Sequence, residues 1–210
     1  MATTSIGAVR GPTTTADGVP IGTLPVGAEG AEAVGWWGMV FFILTEAALF
    51  AYLFLSYFYL GSRYPVWPPS GPPAITLAVI NTVILVASSI PMWIAERAVR
   101  QGKMGVFNIL LLIVLVMGVA FLIIEATEWG LQDFTPATNA YGSIFYTITG
   151  FHFAHVTLGL LMTIELLYRS LAKRISERRP LAAKNVAAYW HFVGVVWVVL
   201  FVVIYLSPRW

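Results

Sequence analysis

The sequence predicts an all-α membrane protein: a five-transmembrane-helix bundle with its N-terminus cytoplasmic and its C-terminus outside. Three observations lead there. Apolar residues make up 59% of the 210 and charged residues only 10%, whereas a soluble domain carries about a quarter charged residues. Five stretches each supply the roughly twenty apolar residues that a bilayer crossing needs. None of them alternates apolar and polar side chains as a membrane β-barrel strand does, and a helix satisfies its own backbone in lipid. This composition excludes a nucleic-acid binder, a disordered scaffold and a cytosolic enzyme. The net charge of +2 comes from twelve Lys and Arg spread over loops, not from a basic binding face.

In chain order, residues 1–35 hold one Arg and are rich in Gly, Thr, Ala and Pro. They read as a flexible tail outside the membrane, with no apolar core long enough for a cleavable signal. The transmembrane domain follows over 36–210, with spans predicted at 36–60, 74–94, 106–124, 144–167 and 187–206. Pro65, Pro68, Pro69, Pro72 and Pro73 mark the first link, Gly102 the second, Pro136 the third and Pro180 the fourth. Links this short predict antiparallel neighbours in one compact bundle. No internal repeat is visible.

Lys and Arg fall ten to two between the two sides of these spans. Arg10, Arg97, Arg100, Lys103, Arg169, Lys173, Arg174, Arg178, Arg179 and Lys184 face Arg63 and Arg209. The positive-inside rule then sets the orientation. Trp36, Trp37, Trp67, Trp93, Trp129, Tyr189 and Trp210 near span ends fit an interfacial aromatic belt. There is no cysteine, so disulfides, thiolate metal sites, c-type haem attachment and a Cys nucleophile are all excluded.

Ionisable groups inside a span are functional-site hypotheses. Glu46 lies about ten residues into the first span, roughly 15 Å deep. A bare carboxylate there is expensive, so it is protonated or paired, within the bundle or against a partner. It reads as a proton-handling or lipid-gating carboxyl, or as a neutral structural acid. His152 and His155 stand at i, i+3 on one face of the fourth span, and Gly159 continues that face with room for another helix. Two His are too few for a metal site, which needs three or four ligands. Glu125 and Glu128, expected at the outer end of the third span, and His191, expected at the inner start of the fifth, are too far away to complete one. A bis-His haem through His155 and His191 requires matched depth, which the spans do not offer. Packing by hydrogen-bonded histidines is the plainer reading.

Ala74, Ala78, Asn81, Thr82, Ser88 and Ser89 form a small, weakly polar stripe on the second span, suited to helix packing. Val195, Val196, Val198, Val199, Val202 and Val203 give the fifth span a β-branched surface suited to lipid or to a partner. No hydrolase triad, phosphate loop or nicotinamide fingerprint is present. On residues alone, a proton-path component, a small transporter and a structural subunit all remain open.

Several segments in series narrow this. They are "GMVFFILTEAALFAYLFLSYFY" with Thr45 and Glu46, "WPP" at Trp67, "INTVILVASS" at 80–89, "EATEW" with Glu128, "YGSIFYTITGFHFAHVTLG" at 141–159 and "YWHFVGVVW" at 189–197. In this order and spacing, the chain resembles subunit III of the haem–copper oxidases, in the short five-helix bacterial form. The resemblance covers nearly everything after residue 35. It departs at Gly194, where the family commonly has Asp.

The resemblance implies a non-catalytic accessory subunit of a terminal oxidase of aerobic respiration. Such a subunit stabilises the catalytic subunit I and supports proton uptake while O2 is reduced to water, with cytochrome c as donor. The enzyme class is therefore that of a proton-translocating oxidoreductase complex. No redox centre, catalytic residue, metal or cofactor is expected in this chain, with haem and copper in partner subunits. The implied partners are subunit I as main contact, subunit II, phospholipid in a cleft and a larger respiratory supercomplex; the implied location is the bacterial plasma membrane. Glu46 matches the carboxyl that reacts with carbodiimide in some members and is the buried acid for proton-uptake support. Glu128, His152, His155 and His191 are the polar residues of the family motifs, and Arg169 falls where the family contacts a lipid head group. Arg169 also reads simply as one of the positive-inside charges. The alternatives are subunit III of a quinol oxidase, a nitric-oxide-reductase-associated homologue and, in another class, a free-standing transporter.

Overall fold

The structure is a computed structural model that describes residues 34–69, 71–174 and 181–209. Among these residues five helices are long and apolar enough to cross a membrane: α1 (Val34–Gly61), α2 (Thr76–Arg100), α3 (Met104–Gly130), α4 (Ala140–Leu171) and α5 (Leu181–Leu200). A π-helical turn, Phe201–Leu206, and a 3-10 turn, Ser207–Arg209, extend α5. Of the expected N-terminal tail, residues 1–33 lie outside the described residues, as do Arg178, Arg179, Pro180 and Trp210.

Each predicted span is met by a helix, and the helices run past the apolar segments at most ends. Hydropathy registers only the part of a helix that suits lipid, while backbone hydrogen bonding carries the helix on through polar residues. The largest consequences are in α3 and α5. Glu125 and Glu128 fall in the last two turns of α3, at the end of the span where the sequence puts them, but are buried at 1% and 2% exposure instead of facing out. His191 lies about ten residues, or ~15 Å, into α5, which begins at Leu181; it does not start that helix.

The packing order departs from the chain order at the first link. α2 and α3 pack along their length, α3 packs on α4, α4 on α5, and α5 also on α2. α1 instead packs against α4 and α5. The proline-rich link after Gly61 carries the chain across the end of the bundle to α2. Arg209 holds that link, donating from Nη2 to the Pro73 carbonyl at 2.5 Å and from Nη1 to the Tyr205 carbonyl. α1 is thus an edge helix, with only Phe50 and Tyr57 buried.

Trp190 of α5 is where four helices meet. Its indole N–H donates to Ser88 Oγ of α2 at 2.9 Å. Its ring lies against Gly118 of α3 and Gly159 of α4, where an added Cβ would come to 2.8 Å and 3.0 Å of it. Gly159 thus admits a neighbouring helix, and that neighbour is α5. The α2 stripe packs inward through Ala78, Asn81 and Ser88, while Ala74 precedes the helix and is exposed. The stripe also bonds: Thr82 Oγ1 accepts from Trp197 Nε1 at 2.9 Å.

Two surface expectations are corrected. Val196 and Val203 are buried, while Val195, Val198, Val199 and Val202 are exposed, so the valine run wraps around α5 instead of forming one face. Tyr189 belongs to no belt: it is buried at 0% exposure and donates to the His155 carbonyl at 3.2 Å. Trp37 and Trp93 are exposed. Trp93 lies under Arg97 at 3.4 Å, and Trp36 under Lys184 at 3.7 Å, as cation–π pairs near helix ends.

Candidate functional site

α1 and α4 each place one ionisable side chain near the midpoint of their length. Glu46 Oε2 lies 2.9 Å from His155 Nε2. His155 Nδ1 donates to the Phe151 carbonyl one turn earlier, at 2.6 Å. With Nδ1 carrying a hydrogen, the second contact has two forms. Either imidazolium faces carboxylate, or a neutral carboxylic acid donates to Nε2. The two forms differ only in which atom holds one proton. The side chains are 20% and 11% exposed, so the pair sits at the bundle edge and opens toward its surroundings. Phe50 covers it edge-on, with its ring centre 4.9 Å from that of His155.

His152, one turn before, is spent differently. It is wholly buried, and its Nε2 donates to the Val193 carbonyl of α5 at 3.2 Å. Its ring is held between Phe121 and Trp197, at 5.6 Å and 5.0 Å. The i, i+3 spacing does put both rings on the inward half of α4, yet one meets α5 and the other meets α1. They share no ligand position. Tyr189 bonds the backbone of His155, so His191, two residues on, is close to it in depth, contrary to the expected mismatch. Depth is therefore no obstacle to a bis-His haem. The obstacle is that both nitrogens of His155 already have partners.

Among the described residues no three His, Cys, Asp or Glu are grouped to hold a metal ion. Arg169 is exposed and pairs with Glu165 at 2.7 Å on the same face of α4. It lines a groove of about 220 Å³ between α1, α4 and α5, together with Met39, Met162 and Asn185. Glu128 does not join Glu46 or the histidines. Its Oε1 accepts from Tyr205 at 2.6 Å, while Glu125, one turn earlier, accepts from Asn81 of α2 at 3.1 Å. At Gly194 the backbone faces Ser89, whose Oγ would stand 3.7 Å from an added Cβ. The side chain that the family commonly carries there has space toward α2.

Sequence reading missed Tyr205 and Trp190, and it took Asn81 and Ser88 for packing alone. A buried Trp or Tyr on one helix and a small polar residue on another is the available signal. It needs helix pairing to become specific.

The fold and these contacts define a multi-pass helical membrane protein whose buried polar side chains bond mainly across helices. The chain belongs to the cytochrome c oxidase subunit III family, whose sequence profile matches residues 30–209. It is 36% identical over 183 residues to a cytochrome c oxidase subunit 3 of Synechocystis, covering 86% of this chain and 78% of that protein. It is 35% identical to the subunit 3 of Mus musculus and 33% identical to that of Drosophila melanogaster, in each case over 80% of this chain and 68% of the relative. Membership makes it an accessory subunit of a haem–copper oxidase, part of an oxidoreductase complex of the respiratory chain and associated with other oxidase subunits. The free-standing transporter gives way to this.

Proposed function

We propose that this chain stabilises the catalytic subunit I of a cytochrome c oxidase and supports proton uptake during reduction of O2 to water. The observation that carries this reading is the Glu46–His155 pair, a proton-holding contact at mid-helix on the most open edge of the bundle. The bundle leaves α1 almost uncovered, with two buried residues among 28, which suits a helix that docks on a larger partner. Subunit I is the main contact, with subunit II beside it, haem and copper in those partners, and a larger supercomplex around them. Glu128 and His152 position helices through their bonds to Tyr205 and to the Val193 carbonyl. The relatives' shared name, cytochrome c oxidase subunit 3, favours cytochrome c over quinol as donor.

The complex is placed in the bacterial plasma membrane, with the N-terminal side of α1 cytoplasmic. The ten-to-two division of Lys and Arg supports that orientation. Arg169 then lies at the cytoplasmic end, where its guanidinium reaches lipid phosphate and the apolar groove beside it takes acyl chain.

The test is to purify the oxidase with and without this chain. The expected result is unchanged haem spectra with a shorter lifetime during turnover. A complex lacking the chain that turns over equally long refutes the proposal.

A further inference from the structure

A second pair of acids lies toward the bundle end that carries the 62–75 and 131–139 links. Glu125 and Glu128 are one helical turn apart, where side chains share a face. Both are buried, at 1% and 2% exposure. Among the described residues no Lys, Arg or His nitrogen comes within 4.0 Å of either carboxyl. Two carboxylates this close in dry surroundings repel each other and lose their hydration, so charge on both is very costly.

Their partners differ in kind. Glu128 Oε1 accepts from the Tyr205 hydroxyl at 2.6 Å, and a phenol is a stronger donor than an amide, favouring the ionised form of the oxygen it serves. Glu125 Oε2 accepts from the Asn81 amide at 3.1 Å, a weaker donor that leaves Oε1 free. The π-helical turn Phe201–Leu206 carries Tyr205. Several buried atoms around the pair have no partner: Glu125 Oε1, Glu128 Oε2, Asn81 Oδ1, the Trp129 indole nitrogen and the Tyr141 hydroxyl. Asn81 is 0% and Tyr141 2% exposed. Asn81 is anchored in the pair by its own amide nitrogen, so its free oxygen stands at the same spot.

The groups facing the pair are Asn81 from α2, Trp129 of α3 beside Glu125 and Tyr205 from the π-helical turn, with Tyr141 of α4 near Glu128. Arg209 lies beyond, its guanidinium turned to the Tyr205 and Pro73 carbonyls. A hard divalent cation such as Ca2+ wants roughly six to eight oxygen ligands, more than the free oxygens here supply. A proton and water need fewer.

We propose that Glu125 and Glu128 form a buried proton-binding site. Glu125 carries the proton on Oε1 as a neutral acid, and Glu128 is the carboxylate. Bound water joins the Glu125 hydroxyl to Glu128 Oε2, Asn81 Oδ1 and the Tyr141 hydroxyl. The site stands apart from Glu46 and His155 and does not depend on the role proposed for them.

The test is infrared spectroscopy of the assembled oxidase at neutral pH, in H2O and D2O. Wild type is compared with Glu125→Gln, Glu128→Gln and Asn81→Leu. The expected result is a deuterium-sensitive carboxylic-acid C=O band that is lost in Glu125→Gln and kept in Glu128→Gln. Asn81→Leu, which removes the hydrogen bond to Oε2, shifts the band to higher wavenumber. A Glu125→Gln spectrum identical to wild type overturns the proposal, as does a band lost only in Glu128→Gln. Should the Glu125→Gln complex fail to assemble, an unmoved band in Asn81→Leu overturns it.

Discussion

Glu46 and His155, 109 residues apart in the chain, meet at 2.9 Å near the midpoints of α1 and α4. Each answers the cost that the other would bear alone in a membrane. The contact also ties the edge helix α1 to the rest of the bundle, where few of its residues are buried.

Removing one partner leaves the other without its hydrogen bond, which costs about 1–3 kcal/mol. Glu46→Ala and His155→Ala each lower the thermal stability of the oxidase complex, and the double variant is little worse than either single one. A double-mutant cycle on unfolding of the purified complex reads this coupling; strictly additive losses exclude it. Glu46→Gln shortens the lifetime during turnover while leaving the KM for cytochrome c unchanged.

The glycines of the bundle are not equivalent. An added Cβ at Gly118 comes to 2.6 Å from Leu160 and 2.8 Å from Trp190, and at Gly159 to 3.0 Å from Trp190. At Gly194 it meets only Ser89 Oγ, at 3.7 Å. Gly118→Ala overpacks the core and destabilises by about 1–3 kcal/mol, with Gly159→Ala milder. Gly194→Ala is neutral or stabilising by up to about 1 kcal/mol, the helix propensity difference. Melting temperatures of the three variants in one detergent check the ranking.

Trp190 depends on Ser88 for its indole N–H, at 2.9 Å. Ser88→Ala leaves that donor buried and lowers stability by about 1 kcal/mol or somewhat less, in line with hydrogen bonds between membrane helices. Trp190→Ala opens a cavity among four helices and costs about 3–5 kcal/mol. Denaturation of the complex followed by tryptophan fluorescence separates the small effect from the large one.

Much of the fold was legible because lipid imposes a simple demand on a chain. Apolar length finds α1 to α5, and Gly159 beside two histidines points to a close helix contact. The first link misled, because a short connection usually joins neighbours. Here the link after Gly61 spans the bundle end under the hold of Arg209 on Pro73. Of the site, Glu46 and the two histidines stood out as charges out of place. Tyr205 did not, because only the packing of the π-helical turn brings its hydroxyl to Glu128.

Sequence alone determined the class, the number of spans and the family motifs. These depend on properties that add along the chain: apolar length, charge in links, and residue order within a motif. The tertiary structure alone decided which polar groups meet. His152 and His155 share a helix face by spacing, yet one bonds the backbone of α5 and the other the carboxyl of Glu46 on α1. Spacing fixes direction around a helix axis, whereas a partner is set by the depth, rotation and order in which separate helices pack.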